Sequence, residues 1–251
     1  MIITEILLAL VGIFIGIISV TVGGAALIAI PLLLILGLTP YGAIATAKLA
    51  LFGSVLSGST KYYKAKLFNK KDFIILTAFI SFIGAIFGAN LTLNINAAFL
   101  NIAIIALSVL VLVISFTNKD FGKITQTKNI TKSNYFFNFF LILILSVYSG
   151  SIGLGAGMFM IFSFVYFLGK NYLESSALMT VINLATLGAA VIVFGYKGII
   201  DYQLGIPLLI GSLIGGWLGA HYAVLRGSDF IKNLFILTAS VLIIKLVFDI
   251  F

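Results

Sequence analysis

Two runs of small and hydroxyl-bearing residues interrupt otherwise oily sequence: Ser19-Val20-Thr21-Val22-Gly23-Gly24, and Ser149-Gly150-Ser151-Ile152-Gly153-Leu154-Gly155-Ala156-Gly157. Glycine takes backbone angles that other residues resist. A helix restarting after such a run leaves its first N–H groups unpaired and its positive dipole end exposed. That is the chemistry of an anion site built largely of backbone. Ser19, Thr21, Gly23 and Gly24 form one half of the candidate site; Ser151, Gly153, Gly155 and Gly157 form the other. Thr46, Thr180 and Asn183 would hydrogen-bond oxyanion oxygens, and the ammonium of Lys48 would face the Gly23–Gly24 break. Snorkelling to the interface is the plain alternative for Lys48, since its stem is long enough.

The elements that must position these residues are membrane-spanning helices. The chain has 251 residues, 62% hydrophobic and 9% charged, where soluble domains carry about 25% charged residues. Ten apolar segments cover approximately 5–22, 25–37, 43–63, 72–93, 97–117, 135–152, 156–169, 173–195, 202–224 and 229–250. Eight are long enough, or nearly so, to cross hydrocarbon about 30 Å thick. The second and seventh have about 13 residues, roughly 20 Å of helix, and each follows one of the two breaks. Met1 to Val22 lacks the basic start of a signal peptide and is too long for its apolar core, so it reads as a retained span.

The chain is expected to be a duplication. Shifting by 132 places Gly23 on Gly155, Gly37 on Gly169, and, within one residue, Ile83–Asn90 (IGAIFGAN) on Ile214–His221 (IGGWLGAH). This predicts a first transmembrane repeat over 1–117, a basic linker over 118–134 and a second repeat over 135–251. Lys61, Lys64, Lys66, Lys70 and Lys71 fill one loop, and Lys119, Lys123, Lys128 and Lys132 the other. Both loops should face the cytoplasm, orienting the chain as a multi-pass protein of the cell (inner) membrane. Five crossings per half would invert the second half, and that arrangement is favoured because discontinuous helices predict the short segments. Kinking each pair into one span would leave the halves parallel. Thr46 and Thr180 sit at near-equivalent positions with a two-residue slip. Gly12–Gly16, Gly84–Gly88, Gly211–Gly215 and Gly215–Gly219 have the spacing of close helix packing.

Other functions are argued against by composition. There are no cysteines and one histidine, which excludes thiolate sites and histidine clusters; no metal or cofactor is expected. Seven acidic residues are scattered, mostly near segment ends, and give no carboxylate pair for acid–base catalysis. The net charge of +8 resides in loops and implies anionic lipid rather than nucleic acid. His221 could couple protons by its titration range. Lys245 is expected to snorkel, and Asn90, Asn94 and Asn96 to form a turn.

The stretch "VGGAALIAIPLLLILGLTPYGAIATAKLALFGSVLSGSTKYYKAKL", with "GSIGLGAGMFMIFSFVYFLG" in the second half, resembles the sulfite exporter TauE/SafE family of membrane permeases. The resemblance covers nearly the whole chain and puts Thr46, Lys48, Gly53 and Tyr62 on the family's pattern. Two departures stand out: Ser163 occupies the place corresponding to Pro31, and the second glycine run is spaced Gly153, Gly155, Gly157. The resemblance implies transport of small anions such as sulfite, sulfonates, thiosulfate or small carboxylates. The expected function is therefore a secondary transporter, with an anion channel or a proton-coupled carboxylate transporter of the same fold as alternatives and a homodimer among the allowed assemblies. An enzyme or a purely structural subunit fits the paired breaks poorly.

Overall fold

A computed structural model describes residues 2–67, 71–92 and 131–248. The expected fifth segment and most of the basic linker, with Lys70, Lys119, Lys123, Lys128, Asn94, Asn96 and Asp249, lie outside the described residues, as do the side chains of Lys71 and Lys245. The described elements are helices: α1 (Ile2–Thr21), α2 (Ala26–Ile35), α3 (Pro40–Lys64), α4 (Lys71–Leu91), α5 (Lys132–Gly150), α6 (Ala156–Leu168), α7 (Tyr172–Tyr196) and α8 (Tyr202–Phe248). Among the described residues six helices are long and apolar enough to cross a membrane; α2 and α6 are too short. The ninth and tenth expected segments form the two arms of α8, which turns at Gly227 (φ 71°, ψ −161°).

Local chemistry explains where these helices start. Thr39 accepts a hydrogen bond from Gly42 N–H (3.2 Å) just before Pro40, a hydroxyl cap followed by a residue with no N–H to lose. Asn171 caps α7 through Glu174 N–H (2.8 Å), Asp201 caps α8 through Leu204 N–H (3.0 Å), and Thr131 caps α5. Helix α7 begins and ends 132 residues after α3 (172 − 40 and 196 − 64). The left-handed residues Gly23, Gly37 and Lys66 likewise precede Gly155, Gly169 and Gly198 by 132.

Glycine ridges bring helices from opposite ends of the sequence together. Gly12 and Gly16 of α1 face Leu208–Gly216 of α8, while Gly211, Gly215 and Gly219 face Ala9, Ile13 and Ile17, so α1 and the first arm of α8 run parallel. Gly84 and Gly88 of α4 meet Leu143 and Val147 of α5, and Phe73 meets Tyr135 (centroids 5.4 Å), so that pair is parallel too. Helix α3 runs alongside the first arm of α8, from Thr46 beside Asp201 to Lys61 over the Trp217 ring (4.9 Å). Against α7 it runs antiparallel: Phe52 packs on Gly188, whereas Tyr62 reaches Ser176 (3.2 Å). A Cβ on Gly215 would overlap the backbone of Ile13. Gly215→Ala should therefore destabilise the protein by about 1–3 kcal/mol, read as a lower melting point in detergent; an unchanged melting point would contradict this close packing.

Candidate functional site

Helix α1 stops because Val22 N–H and Gly23 N–H both turn back to Ile18 O (3.0 and 3.1 Å), which the left-handed φ of Gly23 (74°) permits. Helix α5 stops at Ser151, and left-handed Gly153 and Gly155 then lead into α6. The two stretches touch. A Cβ on Gly23 would lie 2.5 Å from Gly157 Cα, and one on Gly157 would lie 2.6 Å from Gly23 Cα. Only glycine fits on both sides of this crossing. The second arm of α8 closes over it, with Thr238 Cγ2 2.5 Å from where a Gly24 Cβ would stand.

Helices α2 and α6 start at this crossing without a side-chain cap. Among the described residues no acceptor meets the N–H groups of Gly24, Ala25 and Ala26, or of Leu154, Gly155 and Gly157. Two positive helix ends with unspent donors thus meet in the middle of the bundle. Gly23 departs from expectation, since its N–H is spent on Ile18 O.

Lys48 is 2% exposed, so it does not snorkel. Nor does it face the Gly23–Gly24 break. Its ammonium donates to Ser149 O and to Ile152 O (3.2 Å), and it packs on Gly153, where a Cβ would come within 2.5 Å of Nζ. Lys48 therefore closes the carbonyl end of α5, where a cation complements the negative end of the helix dipole. Helix α3 reaches both breaks: Lys48 meets the second, while Tyr62, nearer its C-terminal end, meets the first.

The expected hydroxyl ligands are mostly engaged by protein. Ser54 donates to Ser19 Oγ (2.7 Å), Thr21 bonds back to Ile17 O (2.7 Å), and Ser151 to Tyr148 O (2.8 Å). Thr180 donates to Ser176 O (2.8 Å) and lies 3.2 Å from Val20 O, at the end of α1. Thr46 accepts the N–H of Asp201 (3.0 Å) at the start of α8, and so does not line up with Thr180. The two-residue slip is unnecessary: the residue 132 before Thr180 is Lys48. Thr46→Val should cost about 1 kcal/mol of stability and leave substrate half-saturation unchanged in flux assays. A several-fold shift in half-saturation would return Thr46 to the site.

Asn183 stays the least satisfied of the expected residues. It is 8% exposed, and among the described residues its Nδ2 meets only Met179 Sδ (3.0 Å) and its Oδ1 meets no partner. His221 lies elsewhere, half-buried and stacked on Trp217 (centroids 5.2 Å) beside Lys61.

Several other buried polar residues were not among the expected ligands. Tyr62, fully buried, donates to Val20 O (3.1 Å). Ser176 donates to Val20 O (2.6 Å), although its place four residues before Thr180 was a helical-face signal. Ser163, where the first half has Pro31, accepts from Asn138 Nδ2 (3.0 Å) and ties α6 to α5. Lys232 is buried in the second arm of α8.

Comparison with known proteins gives a consistent result. The family model described as Sulfite exporter TauE/SafE matches residues 8–246. A probable membrane transporter protein of Sinorhizobium sp. is 29% identical, covering 93% of this chain and 88% of that protein. A probable membrane transporter protein of Haemophilus influenzae is 28% identical over 95% and 92%, and one of Bacillus subtilis 28% identical over 95% and 97%. No solved structure matches the chain.

Proposed function

The chain belongs to the sulfite exporter TauE/SafE family, a family of membrane transporters rather than enzymes, and on that premise we propose that it is a secondary transporter of small anions. Sulfite, an organosulfonate or a related sulfur oxyanion is the foremost substrate class. The observation that carries the reading is the convergence of two uncapped helix starts at the Gly23–Gly157 crossing, with the Lys48 ammonium against one of the breaks. In this reading Gly24, Gly155 and Gly157 present backbone N–H groups, and Asn183 and Thr180 hydrogen-bond substrate oxygens. Lys48 supplies charge while holding the end of α5.

The proposal includes two inverted repeats, 1–117 and 135–251, joined by the basic linker 118–134. Supporting the inversion are the antiparallel run of α3 and α7 and the placing of Lys61 and Trp217 at one end of the bundle. Arg226 follows Trp217 toward that end, the cytoplasmic one in this reading. Alternating access would rock the paired halves around the crossing. The inner cell membrane is the proposed location, and a homodimer the proposed assembly.

The test is uptake of radiolabelled sulfite by sealed liposomes holding the purified protein, with thiosulfate, sulfoacetate, sulfate and lactate as unlabelled competitors. Saturable, competed flux supports a transporter, and conductance without saturation or counterflow would make it a channel. Absence of protein-dependent flux of any of these anions would sink the anion reading.

A further inference from the structure

Ile206, Ile210, Ile214 and Trp217 recur at helical spacing along the first arm of α8, and among the described residues each is about half exposed. They form one face of the helix, about 16 Å long from Ile206 to Trp217 at 1.5 Å per residue. His221 comes next on that face. Its ring lies parallel to the Trp217 indole (centroids 5.2 Å, interplanar angle 10°), and the Tyr222 ring stands edge-on to it (5.9 Å). The stripe is apolar for three turns and then becomes polar and aromatic within one.

A charge is held at that polar end by the neighbouring helix. Gly216 seats on the backbone of Ser54, and its carbonyl lies against Gly58. Lys61 follows on the same face of α3, with its Nζ over the Trp217 ring (4.9 Å). Side chains on a helix lean toward its N-terminus, so this ammonium reaches back along α3 to the indole. A lysine that merely snorkels would turn the other way, past Lys64 to water. Among the described residues no carboxylate lies within ion-pair distance of Lys61, and neither ring nitrogen of His221 has a hydrogen-bond partner. An ammonium and an imidazole N–H thus border an exposed indole, with donors to spare and no anion of the described protein to meet them.

We infer that Lys61, Trp217 and His221 form a binding site for the phosphate of an anionic phospholipid, with an acyl chain laid along Ile206, Ile210 and Ile214. Lysine binds phosphate as a point charge. Tryptophan sits at headgroup level in a bilayer, and basic pockets between transmembrane helices take anionic headgroups. Exposed Lys64 and Arg226, farther along the same two helices, add positive charge around the site. The continuous apolar stripe is what selects a lipid over a free phosphate, since a soluble anion has no use for three exposed isoleucines. The site is independent of which solute the protein carries.

The test uses the single tryptophan of the chain, whose fluorescence reports this site alone. The full chain is reconstituted in phosphatidylcholine vesicles holding a minor fraction of brominated phosphatidylglycerol or of brominated phosphatidylcholine, and quenching of Trp217 is compared at equal mole fraction. Brominated phosphatidylglycerol should quench as though enriched about fivefold beside Trp217, the effect of one basic residue at an anionic surface. Lys61→Gln should bring the two lipids to parity, and Lys61→Arg should keep the preference. Lys132→Gln, which removes an exposed charge from another helix, should leave it unchanged. Inorganic phosphate added at constant ionic strength should not restore the fluorescence. Equal quenching by the two lipids in the wild type, or a preference that survives Lys61→Gln, overturns the site; if Lys61→Gln does not fold, the wild-type comparison decides. Full restoration by inorganic phosphate would make this a soluble-anion site and overturn the lipid assignment.

Discussion

Gly157→Ala should abolish anion flux and lower the melting point. The methyl has nowhere to go: its carbon would lie 2.6 Å from Gly23 Cα and 2.9 Å from Gly23 O. Both are backbone atoms, so no side chain can rotate aside. The two breaks must separate, which carries the starts of α2 and α6 apart and spreads the N–H groups that form the proposed anion site. An overpacked site costs about 1–3 kcal/mol, occasionally more, and this one belongs at the upper end because both surfaces are backbone. Gly37→Ala is the control. Gly37 has φ 91° but nothing within 4 Å of an added Cβ, so it isolates backbone strain of about 1–2 kcal/mol and should leave flux intact. Wild-type flux from Gly157→Ala would mean that the crossing is not where the substrate binds.

The second large effect is expected at Lys48. Lys48→Met keeps most of the stem volume but removes the ammonium from Ser149 O and Ile152 O. Those carbonyls close the buried end of α5, and leaving each of them without its donor costs about 1–3 kcal/mol. Lys48→Arg should not rescue, because Gly153 already packs so closely on Nζ that a planar guanidinium has no room. The corresponding change at the other break, Thr180→Val, should cost only about 1 kcal/mol, since Tyr62 and Ser176 still reach Val20 O. Unfolding in detergent gives the stabilities, and flux normalised to folded protein separates capping from substrate binding. Comparable melting points for Lys48→Met and Thr180→Val would remove the case for a charged cap.

What was legible in the sequence was mostly local. The polar breaks before two short apolar runs marked the starts of α2 and α6 by their own chemistry. The 132-residue spacing was readable because glycine marks left-handed positions, and Gly23, Gly37, Gly155 and Gly169 all adopt them. Lys66 was not readable in this way, being a lysine at the position where the second half has Gly198. The partner of Lys48 was illegible for a different reason. Its bond to Ile152 joins residues 104 apart, and which break it meets depends on how two long helices cross, which no neighbouring residue encodes. The partner of Thr46 was illegible for the same reason: nothing beside it in sequence announces that Asp201 N–H lies against its hydroxyl.

The glycine ridges also set an order of assembly. Gly211 of α8 seats on Ala9 of α1, so α1 waits for a partner synthesised about 200 residues later. At about 5–20 residues per second, α1 spends roughly 10–40 s in the bilayer with its Gly12 and Gly16 face unmatched. Helix α4 waits far less for α5. The interior of the bundle therefore closes from the middle of the sequence outward. The first half, made alone, would lack the surface on which its own first helix comes to rest.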